Sequence, residues 1–405
     1  YLKFRGKRIF FFWLQGHAFG HLAGFSNQYI LDHITGPNRQ HLLVGIRPSK
    51  LSTNSELLTL FTKNYPSIPY WFGVFLYKIS TIAFSGRIIF YNEASLHFGE
   101  KDLSFRFFLN SSSSTPVQLN EDGAYQYLEN IGFNHNKPFV ALHVRDNGYY
   151  LSKGNCLVEN YSTYRNSELS SYLLAINYLI DQGFQVVRVG RRSIQVVLNL
   201  DEQNYKKFLF DLPFYKDVPD SVDLFVAKYC SFYISTQSGW DVLAGTVFHK
   251  PGLLLNAVAV GDLNTYLPLT MVASKHHFDA ITDNRLSLEE IALRGCFYSR
   301  NDSDYFDNQI KLRCLSDNEI LKSVANFLVW YHLAKKTLDI DGHEVLLANS
   351  LEIFSGELEG QIKFWKKYLS IANSFLHTTR LDVFHKKRRH SIIQAKYVPS
   401  LFTMF

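Results

Sequence analysis

Cysteine is scarce in this chain, with four residues at 156, 230, 296 and 314 among 405. No two of them stand at a C-x2-C metal spacing, and all are far apart. That argues against a zinc module and against a disulfide-stapled fold, and favours a reducing compartment. Charge is also sparse. Only 19% of residues are charged, 42 basic against 36 acidic, for a net of +6. Nucleic-acid binders concentrate more positive charge than this, so no nucleic-acid partner is expected. A phosphate-bearing ligand or an anionic membrane surface suits so mild an excess. Long hydrophobic runs are missing too. The greasiest stretch, YWFGVFLYKISTIAF at 70–84, contains Lys78 and falls short of the ~20 apolar residues a membrane helix needs. It reads as a buried helix, with a membrane-facing aromatic patch as the alternative.

What the chain has in quantity is apolar and aromatic residues, 46% and 16%. Its length exceeds one ordinary core and predicts two domains. RIFFFWL (8–14), HLLVGI (41–46) and RIIFYN (87–92) read as buried strands, and FSNQYILDHITG (25–36) has helical spacing. This strand, loop, helix, strand rhythm is that of a parallel sheet. The polar, small-residue run NSSSSTP (110–116) is the best linker. After it the rhythm resumes. KPFVALHV, FQVVRVG, SFYIST and GLLLNA read as strands. EDGAYQYLENIGF, SELSSYLLAINYLIDQG, SVDLFVAKYC and GWDVLAGTVFHKP read as helices, the last ended by Pro251. From about 316 the chain turns helical in character. The predicted division is a first domain over 1–115, a second over 116–345 and a helical extension over 346–405.

In open parallel sheets, sites lie beyond the carboxyl ends of the strands, so the residues following each strand carry the interest. His143, Arg145 and Asp146 follow FVAL, with His143 and Arg145 on one face by alternation. A guanidinium fork suits a pair of phosphate oxygens. Asp146 would orient it or accept a substrate proton. Arg188 sits inside a buried strand, where an unpaired charge is costly. It is either tied to a carboxylate or aimed at a cleft. Ser235, Thr236, Ser238 and Gly239 lead into a helix, whose first-turn N–H groups favour phosphate, although Ser238 also suits a plain N-cap. Gly16, Gly20 and Gly24 punctuate the loop after the first strand. They do not form G-x-G-x-x-G, which disfavours a nicotinamide dinucleotide. His17 and His21 in that loop, with Asp146, are the candidate general bases. DSD at 302–304 has the form of a metal motif but reads as a solvated loop. HHFD at 276–279 lacks a third ligand group. The basic run HKKRRH at 385–390 reads as an exposed face.

FVALHVRDNGYY, YRNSELSSYLLAINYLIDQGFQVVRVG and DLFVAKYCSFYISTQSG, within about a quarter of the chain, resemble a bacterial family of glycosyltransferases of surface-polysaccharide assembly. GHAFGHLAGFSNQYIL is a weaker fourth match. The resemblance implies a GT-B-like α/β fold: two Rossmann-like, doubly wound domains facing a cleft, the second binding a nucleotide sugar, with C-terminal helices. The chain is more distantly similar to the fucosyltransferase superfamily, whose H-x-R arginine holds the donor diphosphate. That likeness makes Arg145 the clamp, with His143 beside it and Ser235, Thr236, Ser238 and Gly239 lining the nucleotide pocket. Here Asp146 follows Arg145 directly and a second arginine is absent. Arg165 and Asn166 belong to the closer family's pattern and are expected near the cleft.

The implied activity is metal-independent transfer of a sugar from a nucleotide-sugar donor, itself substrate rather than cofactor. The expected acceptor is a glycan or lipid-linked molecule in lipopolysaccharide-type synthesis, in the cytoplasm at the inner face of the membrane. A non-catalytic nucleotide- or sugar-binding module is the alternative.

Overall fold

The computed structural model describes residues 3–337 except 5–6, 25, 27–41, 51–52, 84–88, 92–120, 152–162, 198–206, 249, 259–269, 297–298 and 300. The expected linker, most of the helix at 25–36, the extension from 346 and the basic run at 385–390 lie outside the described residues. So does Cys156. The other three cysteines are free thiols.

Two parallel sheets organise the molecule. In the first, β2 (Lys7–Trp13), β3 (Leu42–Ile46), β4 (Ser67–Ile68) and β5 (Ile89–Tyr91) run parallel in the order β5-β2-β3-β4. A short strand, β1 (Lys3–Phe4), pairs antiparallel with the start of β2. Alternation along β2 explains its unbroken apolar run. Phe10 and Phe12 enter one core, while Phe11 joins Val44 and Ile46 on the opposite face.

The second sheet holds β6 (Phe139–His143), β7 (Gln185–Arg188), β8 (Leu209–Asp211), β9 (Phe232–Ser235), β10 (Gly252–Ala257) and β11 (Thr270–Ser274). All are parallel, in the order β11-β10-β9-β6-β7-β8. This is the doubly wound order, and its direction reverses between β6 and β9. Every residue of β7, β9 and β10 is buried. Val140 and Leu142 pack on one face with Ile176, Leu179, Phe327 and Trp330, from the Leu173–Asp181 and Asp317–Thr337 helices. Phe139 and Ala141 face the other core.

The units meet through the loops that leave their strands. Asn54, after β3, caps the Ser55–Asn64 helix by accepting from Leu57 N at 2.9 Å, and its Nδ2 donates to the Asp220 carbonyl at 2.9 Å. Leu57 and Phe61 of that helix share one apolar cluster with Val222 and Val226 of the Asp220–Tyr229 helix. Two α/β units with facing loops make a GT-B-like arrangement, and between these helices the junction is packed rather than open.

Three expectations are corrected. The Tyr70–Ala83 helix forms, but it is not buried. Gly73 packs against Ile46, while Trp71 and Phe75 are 70% and 53% exposed. Its polar residues Lys78, Ser80 and Thr81 fall together near its end, so no polar stripe along its length reveals which face meets solvent. The helix expected to run to Pro251 is α-helical only over Gly239–Val242 and continues as a π-helical turn over Leu243–Val247. DSD opens a helix, Asp302–Asp307, rather than lying in a loop.

Candidate functional site

The point where the strand order of the second sheet reverses lies between the carboxyl ends of β6 and β9. Arg145 follows β6 and Thr236 follows β9. The two are joined directly, Arg145 N donating to Thr236 Oγ1 at 2.9 Å. Both are enclosed, Arg145 at 8% exposure and Thr236 at 0%. Ser235 is also fully buried, its Oγ 3.3 Å from Ser238 Oγ. Between them Gln237 adopts a left-handed backbone, φ 56°, and accepts from Val258 N through Oε1 at 3.1 Å. A non-glycine residue held there is strained, as is common at ligand-binding turns.

The first unit reaches this turn through a helical segment, 19–24, that replaces most of the glycine loop expected from the sequence. A Cβ on Gly20 would lie 2.6 Å from Gly239 Cα, and one on Gly239 would lie 2.6 Å from Gly20 N. The two backbones are therefore in contact, which only glycine at both positions permits. Gly16 lies at the root of the loop, its carbonyl accepting from Thr53 Oγ1 at 3.1 Å. His17 is exposed, and its Nε2 lies 3.2 Å from His21 Nδ1.

Arg165 and Asn166 come to the same edge. Ser167 N donates to the Arg145 carbonyl at 3.1 Å, and Asn166 Nδ2 donates to Asn147 Oδ1 at 2.7 Å. Arg165 Nε and Asn166 Oδ1 are buried without a hydrogen-bond partner among the described residues. Such atoms mark places where water or a ligand belongs. Burial lowers the His143 imidazole to about 4, with the Arg188 and Arg145 charges adding to it. His143 is thus neutral at physiological pH, a polar neighbour of Arg145 rather than a third cation.

Three sequence-derived roles are corrected. Asp146 is no free base. Its Oδ2 accepts from Ile194 N at 2.9 Å and from Ser193 Oγ, and its Oδ1 from Gly148 N at 2.9 Å. It holds the loop after β7. Arg188 takes the internal alternative, its Nη1 lying 3.0 Å from Asp211 Oδ1 and 2.6 Å from the Gln195 carbonyl, with 1% of the residue exposed. The helix start at Ser238 and Gly239 is already capped. Ser238 N donates to Asp241 Oδ2 at 2.7 Å and Trp240 N to Ser238 Oγ at 3.2 Å. Asp241 is fully buried, and burial pushes its carboxyl up to about 7. The Asp241 and Ser238 side chains thus already take up two backbone N–H groups of this helix start. Gly239 serves as the seat of Gly20.

Elsewhere, His276 bonds Glu319 at 2.8 Å and His277 bonds the Lys275 carbonyl at 3.0 Å. No group of three His, Cys, Asp or Glu side chains suited to a metal occurs among the described residues. One residue at this edge escaped sequence reasoning. Lys275, 6% exposed, directly follows β11, and its Nζ donates to the Asn166 carbonyl at 2.6 Å. The rule of inspecting strand ends would have found it had TMVAS been recognised as a strand.

No family model matches this chain, and no curated protein does. Among solved structures it is similar to ADP-heptose LPS heptosyltransferase II of E. coli, with a TM-score of 0.47, 11% identity, and 80% of this chain and 99% of that one covered. It is also similar to a family 9 glycosyl transferase from Veillonella parvula DSM 2008, at 0.43, 9%, 80% and 97%. The iron-containing dodecameric glycosyltransferase TibC from enterotoxigenic E. coli H10407 follows at 0.40, 12%, 80% and 76%. With every TM-score below 0.5, these likenesses are too distant to carry a shared fold or activity.

Proposed function

We propose that this protein transfers a sugar from a nucleotide-sugar donor to a glycan or lipid-linked acceptor, with the donor diphosphate held by Arg145. The observation that carries this reading is the coincidence of Arg145 and Thr236 with the point where the doubly wound sheet reverses. Ligands of such sheets bind in that crevice. A buried guanidinium there supplies charge-assisted hydrogen bonds of about 1.5–3 kcal/mol each to an anionic ligand. As the donor bond breaks, negative charge grows on the departing diphosphate, and a fixed cation stabilises it without rearranging. In this reading side chains do that work without a metal. The hydrogen-bonded His17–His21 pair, at the start of the helical segment that touches the second unit at Gly239, supplies the base for the acceptor hydroxyl. The positive net charge of the chain suits an anionic lipid surface where such an acceptor resides.

The test is calorimetry with nucleoside diphosphates on the intact chain and on Arg145→Lys. Lysine keeps a charge but loses the planar fork, so affinity should fall about tenfold or more while the melting temperature holds. Unchanged affinity refutes the role. Binding without transfer or donor hydrolysis would instead mark a non-catalytic module.

A further inference from the structure

We propose that Lys275 is a second anion-gripping residue, which binds a phosphate oxygen of a nucleoside-diphosphate ligand whose body occupies the cavity beside it. The nucleotide part of this proposal rests on the function proposed above, and the anion part stands by itself.

A cavity of about 850 Å³ opens beyond β11, where Lys275, Tyr164, Asp302, Tyr305 and Lys311 line it. That volume suits a nucleotide-sized ligand. It lies next to the 163–167 turn, which is fastened on one side to the Arg145 carbonyl through Ser167 and on the other to Lys275 through Asn166. Lys275 and Arg145 are therefore neighbours at the carboxyl edge of one sheet. Burial lowers the Lys275 ammonium below its usual range and the Arg145 charge adds to this, against the opposing influence of Cys314 and Asp302.

Among the described residues no carboxylate forms an ion pair with Lys275. The nearby Asp302 is engaged by Thr163, accepting from its N–H at 2.9 Å and its hydroxyl at 2.5 Å. A buried cation normally has an ionic partner, because desolvation is otherwise uncompensated. Lys275 lines the cavity without a carboxylate partner, and in the adjoining turn Arg165 Nε and Asn166 Oδ1 are buried without a hydrogen-bond partner among the described residues, which fits a ligand that brings its own negative charge. The competing account is that Lys275 merely ties the turn to the strand end through Asn166.

Lys275→Gln separates the two accounts, since glutamine keeps a donor for the Asn166 carbonyl and removes the charge. Calorimetry on the full chain would use ADP, GDP, UDP and CDP, the parent nucleosides, and inorganic pyrophosphate. We expect Lys275→Gln to weaken the best diphosphate about tenfold or more, to leave nucleoside binding unchanged, and to be largely rescued by Lys275→Arg. Lys275→Met, judged only if its thermal unfolding remains cooperative, should match the glutamine variant. Diphosphate affinity equal to wild type in Lys275→Gln, with loss in Arg145→Lys, overturns this proposal and leaves the function standing. Pyrophosphate binding that depends on Lys275 without any nucleotide binding keeps the anion site and removes the nucleotide reading. If wild-type protein binds neither diphosphate nor pyrophosphate, the proposal falls.

Discussion

Arg188 shows what a single charge does when it ends up inside. Its strand is buried throughout and its guanidinium is shared among Asp211, Ser193 and the Gln195 carbonyl. Burial disfavours the charged forms of both Arg188 and Asp211, and their pairing opposes that. Deleting one member strands the other, a loss of about 3–5 kcal/mol for a buried pair. We therefore expect Arg188→Met to lower the unfolding free energy obtained from urea denaturation by an amount in that range, and to leave the nucleotide affinity of the folded fraction within about twofold of wild type. A large affinity loss at unchanged stability would return Arg188 to the binding site. From sequence alone both fates of this arginine were open, because a strand pattern shows that a charge is buried but not what lies across the next strand. Asp211 stands on β8, a three-residue strand preceded by undescribed residues. Asp146 followed the same logic: a carboxylate directly after a ligand-type arginine looks like a base until the backbone N–H groups of a distant loop are seen to use it.

At the scale of elements, strands covered on both faces were legible. FVAL, VV within β7 and FYI within β9 are unbroken apolar runs because no residue in them reaches water. Gly132 and Gly183, at φ 86° and 89°, end their helices where the sequence placed the stops. Illegible were the short strands β4, β8 and β11, the π-helical turn after Val242 and the left-handed Gln237, all set by tertiary packing rather than local preference. The glycine loop was legible as a place of close approach, but its partner was not. What Gly20 approaches is Gly239, not a ligand. A methyl group on either residue meets backbone at 2.6 Å, and backbone cannot swing aside as a side chain does. Gly20→Ala should therefore push the helical segment 19–24 of the first unit off the second unit. Because the proposed donor residues all lie on the second unit, nucleotide affinity should stay within about twofold while kcat drops by roughly 100-fold, the cost of about 1 Å of misplacement between reacting groups. Equal losses in affinity and kcat would mean that Gly20 lines the donor site itself.

The whole molecule depends on how its two sheets are coupled. The apolar cluster that runs from Phe10 and Leu57 to Val222 and Trp240 makes the junction part of the core, and a polar clasp borders it. Asp220 Oδ2 accepts from Ser55 N at 2.6 Å and Ser55 Oγ at 2.7 Å, and Asp220 also pairs with Arg191, which reaches Asp223 at 3.3 Å. The carboxylate thus caps a first-unit helix while belonging to a second-unit helix, and these bonds hold it below the usual carboxylate range against the opposing effect of burial. Hydrogen bonds to a charged group contribute about 1.5–3 kcal/mol each when enclosed. With 22% of the Asp220 side chain exposed, solvent screening puts the clasp toward the lower end of that range. Asp220→Ala should then loosen the first unit alone. Only that unit loses a helix cap, whereas the second keeps its six-stranded sheet and the core on the Val140 face of that sheet. Native-state hydrogen exchange reads this directly. Peptides covering β2 and β3 should exchange about tenfold or more faster in the variant, those covering β6 and β9 near the wild-type rate, so that one cooperative unit becomes two. Uniform acceleration of both sets would show instead that Asp220 supports a single indivisible core, and that the units cannot part to admit a ligand between Gly20 and Gly239.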